Sequence, residues 1–198
     1  MTRPLSPRER ARVRVSATKD HTDALRLLRA YNPADPAQQQ LRDDFLSHLE
    51  AHPDGTRREC LPDHLTASAI VVDPSRAMVL LGLHAKAKLW LQMGGHIDAE
   101  DGSITAAALR EAVEESGIDG LTLFSETPIS LDRHPAPCSP LARHHLDVQF
   151  LAIAPPGAVE HVSPEQIELR WCPFDKLAEP TDDAVRRLVE RARQALSL

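Results

Sequence analysis

The stretch Arg110-Glu111-Ala112-Val113-Glu114-Glu115-Ser116-Gly117-Ile118 decides how this chain is read. It spaces three carboxylates at i, i+3 and i+4, so on a helix Glu111, Glu114 and Glu115 are neighbours. At about 100° per residue they fall within an arc of roughly 100°. Like charges so placed repel by about 0.2–0.5 kcal/mol per pair. Gly117 reads as the helix stop, which puts the three near the negative end of the helix dipole. A sequence that tolerates such a local conflict points to a site. Clustered carboxylate oxygens suit hard divalent cations such as Mg2+. Taken alone, the same run is more often a solvated helix face.

Working outward, the pattern predicts a helix over 104–116, capped by Asp101 or Ser103 at its start. Ala106, Leu109 and Val113 are expected opposite Glu111, packed on a sheet. Upstream, 65–72 and 77–84 read as strands joined by the turn Asp73-Pro74-Ser75-Arg76, and 88–93 as a further extended piece ending at Gly94-Gly95. Downstream, 121–131, 146–154 and 167–171 read as strands, 133–140 as a proline-rich loop and 174–178 as a helical turn. The amphipathic run 182–196 reads as a C-terminal helix. Near the N-terminus, 23–31 and 38–50 predict two helices separated by Pro33 and Pro36. The alternation indicates an α/β (α+β) domain over 61–198, preceded by a tail and helical extension over 1–60.

Bulk properties narrow the function. The 198 residues carry a formal net charge of −6, which disfavours a nucleic-acid partner held by general electrostatics. The three cysteines, Cys60, Cys138 and Cys172, make neither a CxxC pair nor a disulfide framework, so a cytoplasmic location is expected. No apolar run is long enough to span a membrane, and no signal peptide is apparent. Arg3, Arg8, Arg10, Arg12 and Arg14 form a basic start that reads as a tail.

The stretch from Gly95 to Ile118 resembles the Nudix box, G-x5-E-x7-R-E-U-x-E-E-x-G-U, where U is a bulky apolar residue. The second half matches at Arg110, Glu111, Glu114, Glu115, Gly117 and Ile118, with Ala112 a small occupant of a U position. In the first half the loop carries one extra residue, and Asp101 stands where the pattern has Glu. Trp90-Leu91-Gln92-Met93-Gly94-Gly95-His96 resembles the strand and glycine pair that lead into the box. Trp171-Cys172-Pro173-Phe174-Asp175-Lys176-Leu177 resembles a late strand-and-helix stretch of the same fold. The resemblance covers about residues 64–196.

The resemblance to the Nudix (MutT-like) hydrolases implies an α/β/α sandwich around a mixed sheet. It also implies a pyrophosphatase that hydrolyses a nucleoside diphosphate-linked substrate with Mg2+, or Mn2+ in its place. It makes Glu111, Glu114 and Glu115 the metal and base residues, with Glu115 a direct ligand and Glu111 a ligand or the water-activating group. Arg110 is expected to orient a carboxylate, and the Gly95 carbonyl to complete the metal shell. A small-molecule diphosphate substrate is the expected partner, and homodimerisation is common in the family. The rival reading is a Nudix-fold nucleotide-binding or regulatory domain without catalysis. Allylic diphosphate isomerisation and RNA decapping are weaker readings.

Outside the box, alternation puts His145, Asp147 and Gln149 on one strand face and Leu146, Val148 and Phe150 on the other. His145 and Asp147 are candidates for a substrate-pocket wall, or else a hydrogen-bonded pair within the sheet. His144 and His145 point oppositely, so joint Zn2+ ligation is disfavoured. His84, Lys86 and Lys88 read as alternating along a hairpin edge, where Lys88 is a candidate phosphate contact, or else as a solvated strand end. His96 is a candidate substrate contact, or a turn filler. Glu165 and Glu168 are each candidates for an additional carboxylate at the metal.

Overall fold

The computed structural model describes residues 18–136 and 141–198. The basic start and Cys138 lie outside the described residues. The elements run α1 (Lys19–Ala30), α2 (Pro36–Ala51), β1 (Asp63–Val72), β2 (Met78–His84), β3 (Trp90–Leu91), β4 (Met93–His96), α3 (Ile104–Ser116), β5 (Thr122–Leu123), β6 (Ser130–Pro135), β7 (His144–Ile153), β8 (Gln166–Pro173) and α4 (Asp183–Leu196).

β1 and β7 form the spine, parallel and in register from Asp63↔His144 to Val72↔Ile153. Each uses its other edge twice. β1 pairs with β2 at Val71 and Val72 and with β4 from Thr66 to Ala69. β7 pairs with β5 at Ala152 and Ile153 and with β6 from His144 to Gln149. β3 and β8 both pair with β2. The result is a mixed, branching eight-stranded sheet.

Both faces of the sheet are covered, as its long apolar strands require. On one face Leu65, Ala67, Ala69 and Val71 pack with α1, α2 and α3 through Leu28, Phe45, Leu49 and Ala108. On the other, Ile70, Val72 and Leu151 pack with α4 through Val185, Leu188 and Ala192. The N-terminal helices therefore share the core of the sheet. Polar contacts reinforce this. The Gln38 amide donates to the Leu131 carbonyl at 2.9 Å and accepts from the Leu131 N–H at 2.7 Å, closing the outer edge of β6. Asp23 on α1 accepts from the Ile104 N–H at 3.0 Å, at the start of α3.

Several elements depart from the sequence reading. The strand expected over 121–131 is two short pieces, because Ser125 to Pro128 interrupts it. Part of the expected proline-rich loop is strand, since β6 runs to Pro135 against β7. The 3.6-residue pattern placed the buried face of α3 in part, since Leu109 and Val113 pack partly buried against the core. Ala107, Ala108 and Ala112 face the sheet and Ala106 is exposed. Three small side chains let the helix approach the sheet closely, while alanine carries little signal of its own burial.

Candidate active site

α3 is held at both ends. Ser103 Oγ accepts from Ala106 N–H at 3.1 Å, and the Asp23 carboxylate adds a second acceptor there. Gly117 stops the helix in the left-handed region at φ 64°, donating to the Val113 carbonyl at 2.8 Å. A Cβ at Gly117 would also lie 2.6 Å from that of His161.

The three glutamates of the helix differ in environment. Glu115 is 5% exposed. Its Oε2 accepts from Gly94 N–H at 2.8 Å and its Oε1 from the Gln166 amide at 3.2 Å. Burial pushes its carboxyl up to about 8, with the charges of Glu111 and Glu165 acting in the same direction. Glu111 lies beneath Gly95, where a Cβ would meet its carboxylate at 2.7 Å. It too is raised, first by burial, with the Arg110 hydrogen bond opposing and the charges of Glu114 and Glu165 adding to the rise. Glu114 is exposed and accepts from Arg110 Nη1 at 3.0 Å.

Arg110 joins the two halves of the motif. Its Nε and Nη2 donate to the two oxygens of Asp101 at 2.8 and 2.9 Å. Nη1 donates to Glu111 at 2.9 Å, and Nη2 also reaches the His96 carbonyl at 2.9 Å. Asp101 is held below the ordinary carboxylate range, because the Arg110 pair and the Asp98 N–H outweigh its burial. The extra loop residue thus leaves Asp101 in bidentate contact with the arginine, a geometry that fixes both partners.

The remaining expected residues separate. His96 and His145 come together, with ring centroids 5.2 Å apart, on the opposite face of the sheet from Glu111. Their imidazoles are lowered to about 4 and about 3, chiefly by burial. Asp147 is 2% exposed and accepts from Thr66, Ser68 and Gln149 at 3.0, 2.6 and 3.1 Å. It ties β1 to β7 within the sheet. His144 turns away to the Asp63 carboxylate at 3.0 Å. β2 ends at His84, whose ring caps the following turn by accepting from Lys86 and Ala87 N–H. The expected alternation of 84, 86 and 88 is therefore absent. Lys88 lies exposed on that turn in the left-handed region, at φ 57°, and no contact among the described residues joins it to the carboxylates. Glu168 pairs with Arg170 at 2.6 Å, whereas the charge of Glu165 reaches both Glu111 and Glu115.

The sequence reading missed Gln166. Gly82 makes room for it, since a Cβ there would lie 2.5 Å from Gln166 Oε1. No spacing signal marks a contact between residues 115 and 166.

A family model described as the NUDIX domain matches residues 62–192. The chain belongs to the NUDIX family. As such it is a hydrolase of phosphoric anhydride bonds. Among solved structures, a NUDIX family hydrolase from Clostridium perfringens is 26% identical, with a TM-score of 0.56, covering 67% of this chain and 97% of that one. An Ap4A hydrolase from C. elegans is 19% identical at a TM-score of 0.57, with the same coverages. An ADP-ribose pyrophosphatase from Streptococcus suis is 20% identical at 0.51, covering 68% of this chain and 92% of that one. Comparison with curated protein sequences gives no match. No helix among the described residues is long and apolar enough to cross a membrane.

Proposed function

We propose that this NUDIX protein is a Mg2+-dependent pyrophosphohydrolase, with Mn2+ able to replace Mg2+, that cleaves a nucleoside diphosphate-linked or similar diphosphate by attack of water. The observation that carries the reading is the placement of Glu111 and Glu115 directly against Gly94 and Gly95, within range of the Glu165 charge. A buried group of carboxylates with raised proton affinity, and Arg110 as the cation bonded to it, fits a hard dication coordinated by oxygen. When bound, the ion supplies Lewis acidity toward phosphoryl oxygens and lowers the pKa of a bound water.

The residues divide the remaining work. Glu115 is oriented from two sides by Gly94 and Gln166 and serves as a direct ligand. Glu111 serves as ligand or as acceptor of the proton from water, and Glu114 completes the carboxylate set. The carbonyl of Gly95 is an additional oxygen donor. Arg110 is a positioning residue, because its donors are already taken up by Asp101, Glu111, Glu114 and the His96 carbonyl. A helix and a strand hold these groups more rigidly than loops would. The names of the Ap4A and ADP-ribose hydrolases that share the fold support a nucleoside diphosphate group as the common part of the substrate. We assign residues 1–60 as an addition to the family domain, of which α1 braces the start of α3 through Asp23.

The test is turnover on a panel of dinucleoside polyphosphates, nucleotide sugars and nucleoside triphosphates, with and without Mg2+. Cleavage at an anhydride bond only in the presence of Mg2+ or Mn2+ is the expected result. Tight nucleotide binding without cleavage of any compound would favour a regulatory domain instead.

A further inference from the structure

We propose that His64, His96 and His145 bind one borderline transition-metal dication of the Zn2+ class, at a site on the face of the sheet opposite the carboxylates. The sheet register assembles the trio. His64 and His145 are direct partners in the parallel β1–β7 pair. His96 is opposite Thr66, two residues from His64 and therefore on the same face. The ring centroids form a nearly equilateral triangle, 5.3 Å for His64–His96, 5.0 Å for His64–His145 and 5.2 Å for His96–His145. One ring nitrogen from each lies within 4.8 Å of the other two.

Two observations point to a ligand beyond mere proximity. His64 Nδ1 is 3.2 Å from the Cys60 carbonyl. A carbonyl only accepts, so Nδ1 carries the proton and Nε2 is the nitrogen with the lone pair. Backbone carbonyls orient metal-ligating histidines in this way. His96 Nε2 is buried and has no hydrogen-bond partner among the described residues. A buried ring nitrogen left so is costly unless something binds it.

The donor set chooses the metal. Three imidazoles suit Zn2+ and its neighbours, whereas Mg2+ takes oxygen. Zn–N bonds of about 2.0–2.1 Å put tetrahedral nitrogens about 3.3–3.4 Å apart. The rings must therefore draw together slightly, through the broad torsion that connects an imidazole to its Cβ. Charges of both signs surround the trio, with the charge of Arg58 opposing a cation at all three rings and carboxylates lying nearby. Asp147 is buried in the same face, and Asp132 sits beside His134, whose ring is 5.3 Å from that of His145. This site is independent of the carboxylate reading, because Gly95 and His96 serve opposite faces of β4.

The experiment uses the full chain, stripped with chelator and kept in excess Mg2+ so that the carboxylates are occupied. Titration with Co2+ is expected to give one equivalent of tetrahedral visible absorption, displaced by Zn2+. The Glu111→Gln plus Glu115→Gln variant is expected to retain it, and His145→Gln to bind at least roughly 100-fold more weakly. Binding that survives both His145→Gln and His64→Gln but disappears in the carboxylate variant would overturn the proposal. So would a wild-type protein that binds neither ion. Zinc X-ray absorption on the wild type removes any dependence on the folding of variants. Three imidazoles in the shell are expected, and a shell of oxygen donors alone overturns the assignment.

Discussion

Gly95 and His96 are neighbours on β4, yet they open onto two different chemistries. Gly95 has no side chain, and the carboxylate of Glu111 occupies the space a Cβ would need. His96 turns the other way, into a triangle of imidazoles. One residue of pleat separates a cluster of hard oxygen donors from a cluster of borderline nitrogen donors. The two are also mechanically joined, because the His96 carbonyl accepts from Arg110, which holds Glu111. Identity at one position and absence of a side chain at the next both follow from which face each residue must serve.

The largest expected effect is on stability against pH, and it sharpens the contrast between the faces. Glu115 rises from 4.5 in the unfolded chain to about 8 in the metal-free fold. Between these values the folded state binds the extra proton, so metal-free stability falls as pH rises, by up to about 1.4 kcal/mol per pH unit from this group. Below 4.5 and above 8 its contribution is flat. Chemical denaturation from pH 4 to 9 should show the slope in chelator, a reduced slope in saturating Mg2+, and a loss of this component in Glu115→Gln.

Gly95→Ala should damage one face and spare the other. The new Cβ displaces the Glu111 carboxylate, and a misplacement of that order costs about 100-fold in kcat. Equal binding of Co2+ by this variant and the wild type would show that the two sites are separable. Retention of full turnover would mean that Glu111 does not work from beneath Gly95.

Asp101→Asn tests the altered loop. It removes the charge from the bidentate pair while leaving the contacts of Arg110 to Glu111, Glu114 and His96. A loss of about tenfold in kcat, at unchanged KM, is expected for a group that acts through Arg110. The smallest effect belongs to Asp23→Ala, which removes one of two acceptors at the start of α3. A loss of about 1 kcal/mol in unfolding free energy, with turnover unchanged, is expected.

These tests also mark what the sequence made visible. The span of α3, its glycine stop and one of its two proposed caps could be read directly, because local signals govern all three. The bidentate role of Asp101 needed the structure, since an extra loop residue breaks the count on which motif spacing depends. Gln166 and His64 were invisible for a different reason. Gln166 reaches Glu115 on α3 from β8, 51 residues away, and His64 meets His145 through the register of β1 and β7. The buried side of α3 was legible only in part, because Leu109 and Val113 pack against the core while the fully buried positions include Ala107, Ala108 and Ala112, whose side chains carry little signal. The β5–β6 region was misread because the apolar residues on either side of Ser125 to Pro128 read as one run.

The most direct measurement is Mg2+-dependent turnover of the preferred diphosphate by the wild type and by Glu114→Gln plus Glu115→Gln, with folding checked by circular dichroism. A folded double variant that has lost at least about 100-fold in kcat is expected if the helix carboxylates do the chemistry. A folded double variant with wild-type turnover would place the reaction elsewhere in the molecule.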